Sequence, residues 1–152
     1  MNPAAAIHID DTHWPLLLVT FEGNPSLEQY REFFALRSRY LERAERHVGI
    51  TDARRVKLPP PGYREIQTEW LARHAPLLGR TLLGVATLVH NPDIVLYKST
   101  SNYRSAVPYP TVNVADLRSG VAWAAQRFQA EGMGPVATRL RAAFSLDASP
   151  PS

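Results

Sequence analysis

Four cations lie close together in the sequence around a run of three prolines. Arg54, Arg55 and Lys57 precede the prolines at 59–61, and Arg64 follows them. Guanidinium and ammonium groups bind carboxylates and phosphates, and a loop stiffened by proline loses less entropy on binding. An acidic partner surface or a phosphate could dock at this cluster. A solvated basic loop without a ligand is the alternative.

Tyrosines follow the same region and suggest an apolar surface beside it. Tyr63 is the first hydroxyl-bearing residue after the stretch 52–59, and Tyr109 stands between two prolines, with Tyr97 and Tyr103 shortly before it. Aromatic side chains on a surface are typical of interfaces. We therefore group Tyr63 and Tyr109 with the four cations as predicted partner-binding residues.

Two further groups could bind ions, and each has a simpler explanation. Residues 98–104 combine hydroxyls with two cations, as an anion site or a helix fraying into a loop would. Asp10, Asp11 and His13 could ligate a metal or form an acid–base pair. Aspartates in turns, however, commonly bond the local backbone, and we favour that interpretation.

The sequence contains no motif for the common catalytic or nucleotide sites. It has no His-x-x-x-His, no Gly-x-Gly-x-x-Gly, no Gly-Lys-Ser/Thr, no Gly-x-Ser-x-Gly and no cysteine. We expect no catalytic residue, no metal and no cofactor, and hence a protein that is not an enzyme. A less favoured hypothesis is an unusual enzyme site around Asp52, Arg54 and Tyr63.

Length and composition indicate one ordinary globular domain. The chain has 152 residues, of which 45% are hydrophobic and 20% charged, with a net charge of +3. That charge is too small to predict nucleic-acid binding. No apolar run reaches the length of a membrane span and no signal peptide is evident, so we expect a cytoplasmic protein.

The elements that must position these residues alternate between strand and helix patterns. Ile7 and Ile9 alternate with polar residues, and 16–21 is a nearly continuous apolar run, which together predict a hairpin. The full order is ββαβαβαβα plus a short C-terminal helix, typical of a mixed, mostly parallel sheet packed by helices. The helix after Asn91 is predicted to carry apolar residues 94–97.

Several boundaries of these elements are predicted from local residues. Asn24 with Pro25, or Ser26 with Gln29, could cap the first helix, which we expect to run to about Arg46. The third strand is predicted to end at Asp52, with a loop over 53–58. The second helix is expected over 62–74, with Pro76 kinking it or starting a new turn.

The apolar strand cores and turn residues resemble those of STAS domains, and more narrowly the SpoIIAA-like bacterial branch. The resemblance rests on residues 14–23, 50–54, 83–86, 108–112 and 122–123. It implies a single α/β STAS-like domain over 7–130. We expect a flexible N-terminus over 1–6, an extra helix over 131–144 and a disordered tail over 145–152.

Signalling members of that family carry a phosphorylatable serine just after the third strand. A phosphate there would add charge near a helix N-terminus. The matching stretch here, 52–59, contains no serine or threonine. The resemblance therefore implies the fold without the usual serine switch.

The leading functional hypothesis is a non-catalytic protein–protein interaction module in bacterial regulation or scaffolding. The partner would be a protein, which the sequence does not identify, and self-association as a homodimer is also compatible with the sequence. The alternative is a domain that binds a small ligand or lipid at the sheet edge.

Overall fold

The observed secondary structure follows the predicted alternation of strands and helices. In a computed structural model, which describes residues 6–94 and 107–146, the elements are β1 Ala6–Asp10, β2 Leu16–Gly23, α1 Leu27–Glu42, β3 His47–Val56, α2 Tyr63–Thr81, β4 Leu82–Leu88, β5 Thr111–Val114, α3 Leu117–Ala130 and α4 Gly134–Ala143. The helix predicted after Asn91 begins at 92–94, and the rest of it lies outside the described residues.

The described strands form one five-stranded sheet in the order β1-β2-β3-β4-β5. β1 pairs with β2 antiparallel, and the other neighbouring pairs are parallel. This confirms the predicted mixed, mostly parallel sheet with an N-terminal hairpin.

Side chains alternate between two apolar cores, one on each face of the sheet. Leu17 and Val19 of β2 pack on the side of α1 and α2. Leu16 of β2 and Ile50 of β3 pack on the side of α3 and α4, against Phe128, which is 0% exposed. Burial on both faces explains why β2 is an almost continuous apolar run.

Helix α1 begins with the second of the two predicted caps. The Gln29 backbone N–H donates to Ser26 Oγ at 3.1 Å, and the Ser26 N–H donates to Gln29 Oε1 at 2.8 Å. The predicted end near Arg46 is wrong, since the helix stops at Glu42 and Ala44 takes a left-handed φ of 54°. A left-handed residue ends the helical hydrogen bonding.

Strand β3 is longer than predicted. The loop expected over 53–58 is wrong for its first part, because β3 continues to Val56. Thr20 of β2 pairs with Asp52 and Glu22 pairs with Arg55, so β3 has one extra residue over this interval. The resulting β-bulge lets both Ala53 and Val56 face the α1/α2 core.

Helix α2 also differs from the prediction. The expected end near His74 is wrong, because the helix continues through Pro76 to Thr81. Leu78, which is 0% exposed, continues the buried face beyond the proline. Packing of that face outweighs the missing amide donor.

Gly84 gives a first test of the packing between β4 and α3. A Cβ added there would lie 2.5 Å from Cη2 of Trp123, whereas one added at Gly49 would meet Val85 at an ordinary 3.6 Å. We expect Gly84→Ala to lower the free energy of unfolding by about 1–3 kcal/mol and Gly49→Ala to leave it nearly unchanged. Urea unfolding would measure both, and equal effects would contradict this packing.

His47 is a fully buried ionisable residue at the start of β3. Its Nδ1–H donates to the carbonyl of Glu45 at 2.9 Å, and its ring stacks on Trp14 at 5.2 Å. Burial lowers the pKa of His47 to about 4, although the bond to Glu45 opposes that shift. The folded protein therefore holds this ring neutral at pH values where an exposed histidine is protonated.

This burial predicts acid sensitivity between about pH 6.5 and pH 4. In that window the unfolded chain takes up a proton at His47 that the folded chain does not, so stability falls with falling pH, by about 3 kcal/mol in total. Burial also lowers the pKa of His74, which would add a pH dependence of its own. The comparison is therefore between the His74→Gln variant and the double variant that carries both His74→Gln and His47→Gln. Urea unfolding at pH 7, 6 and 5 should show a shallower pH dependence for the double variant, and equal slopes would contradict the assignment.

Candidate functional site

An open cavity of about 140 Å³ lies between the sheet and helices α1 and α2. Its floor is formed by residues from the middle and carboxyl-terminal parts of three parallel strands, namely Phe21 of β2, Thr51, Ala53 and Val56 of β3, and Val85 and Thr87 of β4. Ligands of open α/β sheets bind at the carboxyl ends of the strands. The cavity extends toward that edge of the sheet, as Val56 and Lys57 at the end of β3 are among its lining residues.

Aromatic side chains dominate the wall of this cavity. They are Phe21, Tyr30, Phe33, Phe34, Tyr63, Trp70 and Tyr109. The rings hold one another in place, with centroid distances of 4.7 Å for Tyr30 and Tyr63, and 5.2 Å for Phe34 and Trp70. Tilted and edge-to-face contacts of this kind are favourable, so the wall is already formed without a ligand.

A polar group behind the wall fixes the indole of Trp70. The Trp70 Nε1–H donates to Ser38 Oγ at 3.0 Å, and the Ser38 hydroxyl donates to the carbonyl of Phe34 at 3.0 Å. His74 Nε2 lies 3.3 Å from the same Ser38 oxygen, and its ring contacts Trp70 at 4.9 Å. The indole nitrogen is thereby satisfied, which leaves an apolar face of Trp70 for the cavity.

The charged side chains that line the cavity are both positive. Arg37 of α1 is half-buried, with its guanidinium carbon 5.5 Å from the Trp70 ring and 6.0 Å from the Phe33 ring. Lys57 is exposed, and its backbone N–H donates to the carbonyl of Gly23 at 2.8 Å. No described lining residue is an aspartate or a glutamate, so this wall has a positive field.

The structure brings together half of the predicted partner-binding residues. Lys57, Tyr63 and Tyr109 line the cavity. Arg55 and Arg64 are exposed and outside its lining. The six residues therefore do not form one continuous site. The cavity is the feature that Lys57, Tyr63 and Tyr109 share.

Arg54 lies on the other face of the sheet. Its Nε and one terminal nitrogen donate to the two carboxylate oxygens of Asp52 at 2.9 and 2.8 Å. The contact with Arg54 lowers the pKa of Asp52, although burial opposes this. Asp52 stands between two cavity-lining residues, Thr51 and Ala53, so its side chain points away from Tyr63. Asp52, Arg54 and Tyr63, the residues of the enzyme hypothesis, therefore do not meet at one site.

The remaining candidate groups have individual structural roles or lie outside the description. Asp10 Oδ1 accepts the Thr12 N–H at 2.8 Å, and Asp11 Oδ2 accepts the Tyr40 hydroxyl at 3.1 Å. His13 packs on Phe144 at 4.8 Å. Within 6–94 and 107–146, no cluster of three or more such side chains could hold a metal. Residues 98–104, Tyr97 and Tyr103 lie outside the described residues.

Sequence reasoning missed the aromatic wall of the cavity. Phe33 and Trp70 occupy helical positions that look like ordinary core positions, and the sequence does not show that a space remains between them. The one available sign was Arg37, a cation on the otherwise apolar face of α1. Across the described helices, none combines the length and hydropathy that crossing a bilayer would require.

Removal of the Ser38 hydroxyl tests the support of Trp70. Ser38→Ala leaves the partly buried indole N–H without its acceptor, so we expect the free energy of unfolding to fall by about 1–3 kcal/mol. We also expect a changed tryptophan emission spectrum in the folded state. Ser38→Cys, which retains a weak acceptor, should lie between the two proteins. Unchanged stability and emission in Ser38→Ala would contradict this arrangement.

Comparison with known proteins identifies the fold. No protein-family model matches the chain, and no curated protein matches it. Among solved structures, it is similar to an uncharacterized protein of the DUF3478 family with a SpoIIAA-like fold from Shewanella loihica PV-4. The TM-score is 0.62 at 16% identity, over 82% of this chain and 97% of that chain.

A second match is weaker. It is to the crystal structure of the diguanylate cyclase SiaD in complex with its activator SiaC from Pseudomonas aeruginosa, with a TM-score of 0.49 at 11% identity, over 73% of this chain and 94% of that chain. A TM-score this low supports no conclusion about the present chain. The first match and the observed sheet order agree with the resemblance found in the sequence, and the chain therefore has a SpoIIAA-like fold.

Proposed function

We propose that the protein is a non-catalytic binding domain that takes a small, mainly apolar molecule into the aromatic cavity. The observation that carries this proposal is a preformed aromatic wall over the middle and carboxyl-terminal parts of three parallel strands. Apolar pockets with a few polar groups are the usual form of small-molecule sites. Of the two hypotheses from the sequence, the geometry favours the small-ligand alternative over the interaction module.

The size of the cavity sets the size of the molecule. A dry cavity of about 150 Å³ holds one benzene molecule, and the volume here is about 140 Å³. The space therefore fits one aromatic ring or a short branched chain. Since the cavity is open, the rest of the ligand can extend toward solvent.

The residues around this space support binding rather than reaction. Its described polar lining consists of Arg37, Thr51, Lys57, Gln67 and Thr87 together with tyrosines. These groups can donate and accept hydrogen bonds. No histidine or carboxylate stands among them to act as a general base.

A protein partner is the second candidate, supported by the surface beside Lys57. Leu58 is 46% exposed, which is unusual for a large apolar side chain in this protein, and Arg55 is exposed close by. An acidic partner with an apolar anchor would fit such a surface. The regulatory setting, the homodimer and the cytoplasmic location stay predictions from the sequence.

A neutral one-ring probe tests the leading proposal. We expect 3-phenylpropan-1-ol, which has about ten heavy atoms, to bind with a Kd on the order of 0.1–1 mM. Two-dimensional NMR titration should shift the signals of residues around the cavity, and native mass spectrometry after mild purification should reveal any retained small molecule. Ala53→Leu fills the cavity floor and should abolish the shifts, whereas Ala72→Leu on the exposed face of α2 should not.

The outcomes separate ligand binding from a folding defect. Circular dichroism establishes whether each variant is folded. If Ala53→Leu does not fold, Thr51→Leu, at a half-buried position of the cavity floor, fills the cavity instead. Absence of saturable binding to the unaltered protein, or binding that survives both blocks, would contradict the proposed cavity site.

A further inference from the structure

We infer that the ligand of this cavity is a small organic acid, with an apolar body of about one ring inside and a carboxylate at the rim beside Lys57. This inference rests on the proposed function and adds the chemical class of the ligand. Its basis is the one-sided charge of the wall. Two cations line the cavity, and no described lining residue is acidic.

Lys57 is positioned to receive an anionic group. Its backbone is fixed at the end of β3 by the hydrogen bond to Gly23, while its side chain is exposed at the edge of an apolar space. It forms no ion pair with any carboxylate in 6–94 or 107–146. A ligand carboxylate would therefore not have to displace a carboxylate of the described residues.

Arg37 adds a second, more rigid positive charge. Its guanidinium lies over the rings of Phe33 and Trp70, which favours the cation and restricts its movement. The electrostatic influence of Arg37 also helps to lower the pKa of His47, so its field reaches neighbouring groups. Fixed cations beside apolar walls attract anions and repel cations. Acids should therefore bind better than alcohols, and amines worse.

The dimensions favour a free acid over a membrane lipid. The cavity holds about one ring, as argued above, which is far too little for the acyl chains of a phospholipid. The aromatic wall also suits a planar ring, since ring–ring contacts add to simple burial. We therefore commit to a free aromatic or short branched monocarboxylate.

Three probes that differ in one terminal group test the charge preference. They are 3-phenylpropionate, 3-phenylpropan-1-ol and 3-phenylpropan-1-amine, titrated at pH 7 by NMR or calorimetry. We expect the acid to bind roughly fivefold more tightly than the alcohol, which is the size of effect given by an exposed ion pair, and the amine to bind most weakly. The preference should shrink when salt is raised from about 0.02 to 0.5 M, because exposed charges are screened.

Matched variants locate the charge. Lys57→Gln should weaken binding of the acid more than binding of the alcohol, so that the preference for the acid shrinks to the part that Arg37 supplies. Arg55→Gln is the control, since it removes a neighbouring exposed charge of the same sign that does not line the cavity. It should retain the preference for the acid. Anionic phospholipid vesicles should not co-sediment with the unaltered protein.

The results distinguish this inference from the proposed function. Equal binding of the acid and the alcohol would overturn the inference while leaving the apolar cavity site intact. A loss of preference in Arg55→Gln that matches Lys57→Gln would show that general surface charge, and not the cavity rim, is responsible. No binding of any probe would contradict the proposed function itself, and vesicle binding would replace the free acid by a lipid surface.

Discussion

Burial of the middle strands on both faces is the constraint on which the rest of this structure depends. β3 lies between β2 and β4, so its residues must fill two cores alternately. Val48 and Ile50 serve the core under α3 and α4, while Gly49 and Thr51 face α1 and α2. The described buried residues on the α3/α4 side are mostly aliphatic, with Phe128 among them. The α1/α2 side is packed by large rings, which leave a space where the strands end.

The site emerges where this alternation is interrupted. The extra residue of β3 brings both Ala53 and Val56 to the α1/α2 face, and it leaves Arg54 paired with Asp52 on the other. The chain then places Lys57 at the rim before the proline-rich connection to α2. Because of this one local change in register, Arg54 pairs with Asp52 on one face of the sheet, while Lys57 lies beside the cavity on the other and could contact a ligand.

The fold was predictable from sequence to the extent that it depends on local pattern. The hairpin and the parallel strands follow from alternation and apolar runs, whereas the sequence left Asn24 and Ser26 as alternative caps of the first helix and the structure selects Ser26. The course of β3 beyond Asp52 was not predictable, because Arg54 and Arg55 are polar in type and only the pairing with β2 makes them strand residues. The cavity was hidden for a related reason. Phe33 and Trp70 have the spacing of core residues, and a space between side chains has no signature in the sequence.

The bulge in β3 also affects how this chain can be compared with others. In an unbulged strand, two positions three residues apart face opposite sides, yet here Ala53 and Val56 share one side. A gapless alignment that crosses this point would therefore equate inward-facing positions of one protein with outward-facing positions of another. Such an error would fall in the stretch after the third strand, where a phosphorylatable serine would be looked for. A correspondence between positions here must consequently be drawn from superposed backbones, with a one-residue gap at the bulge.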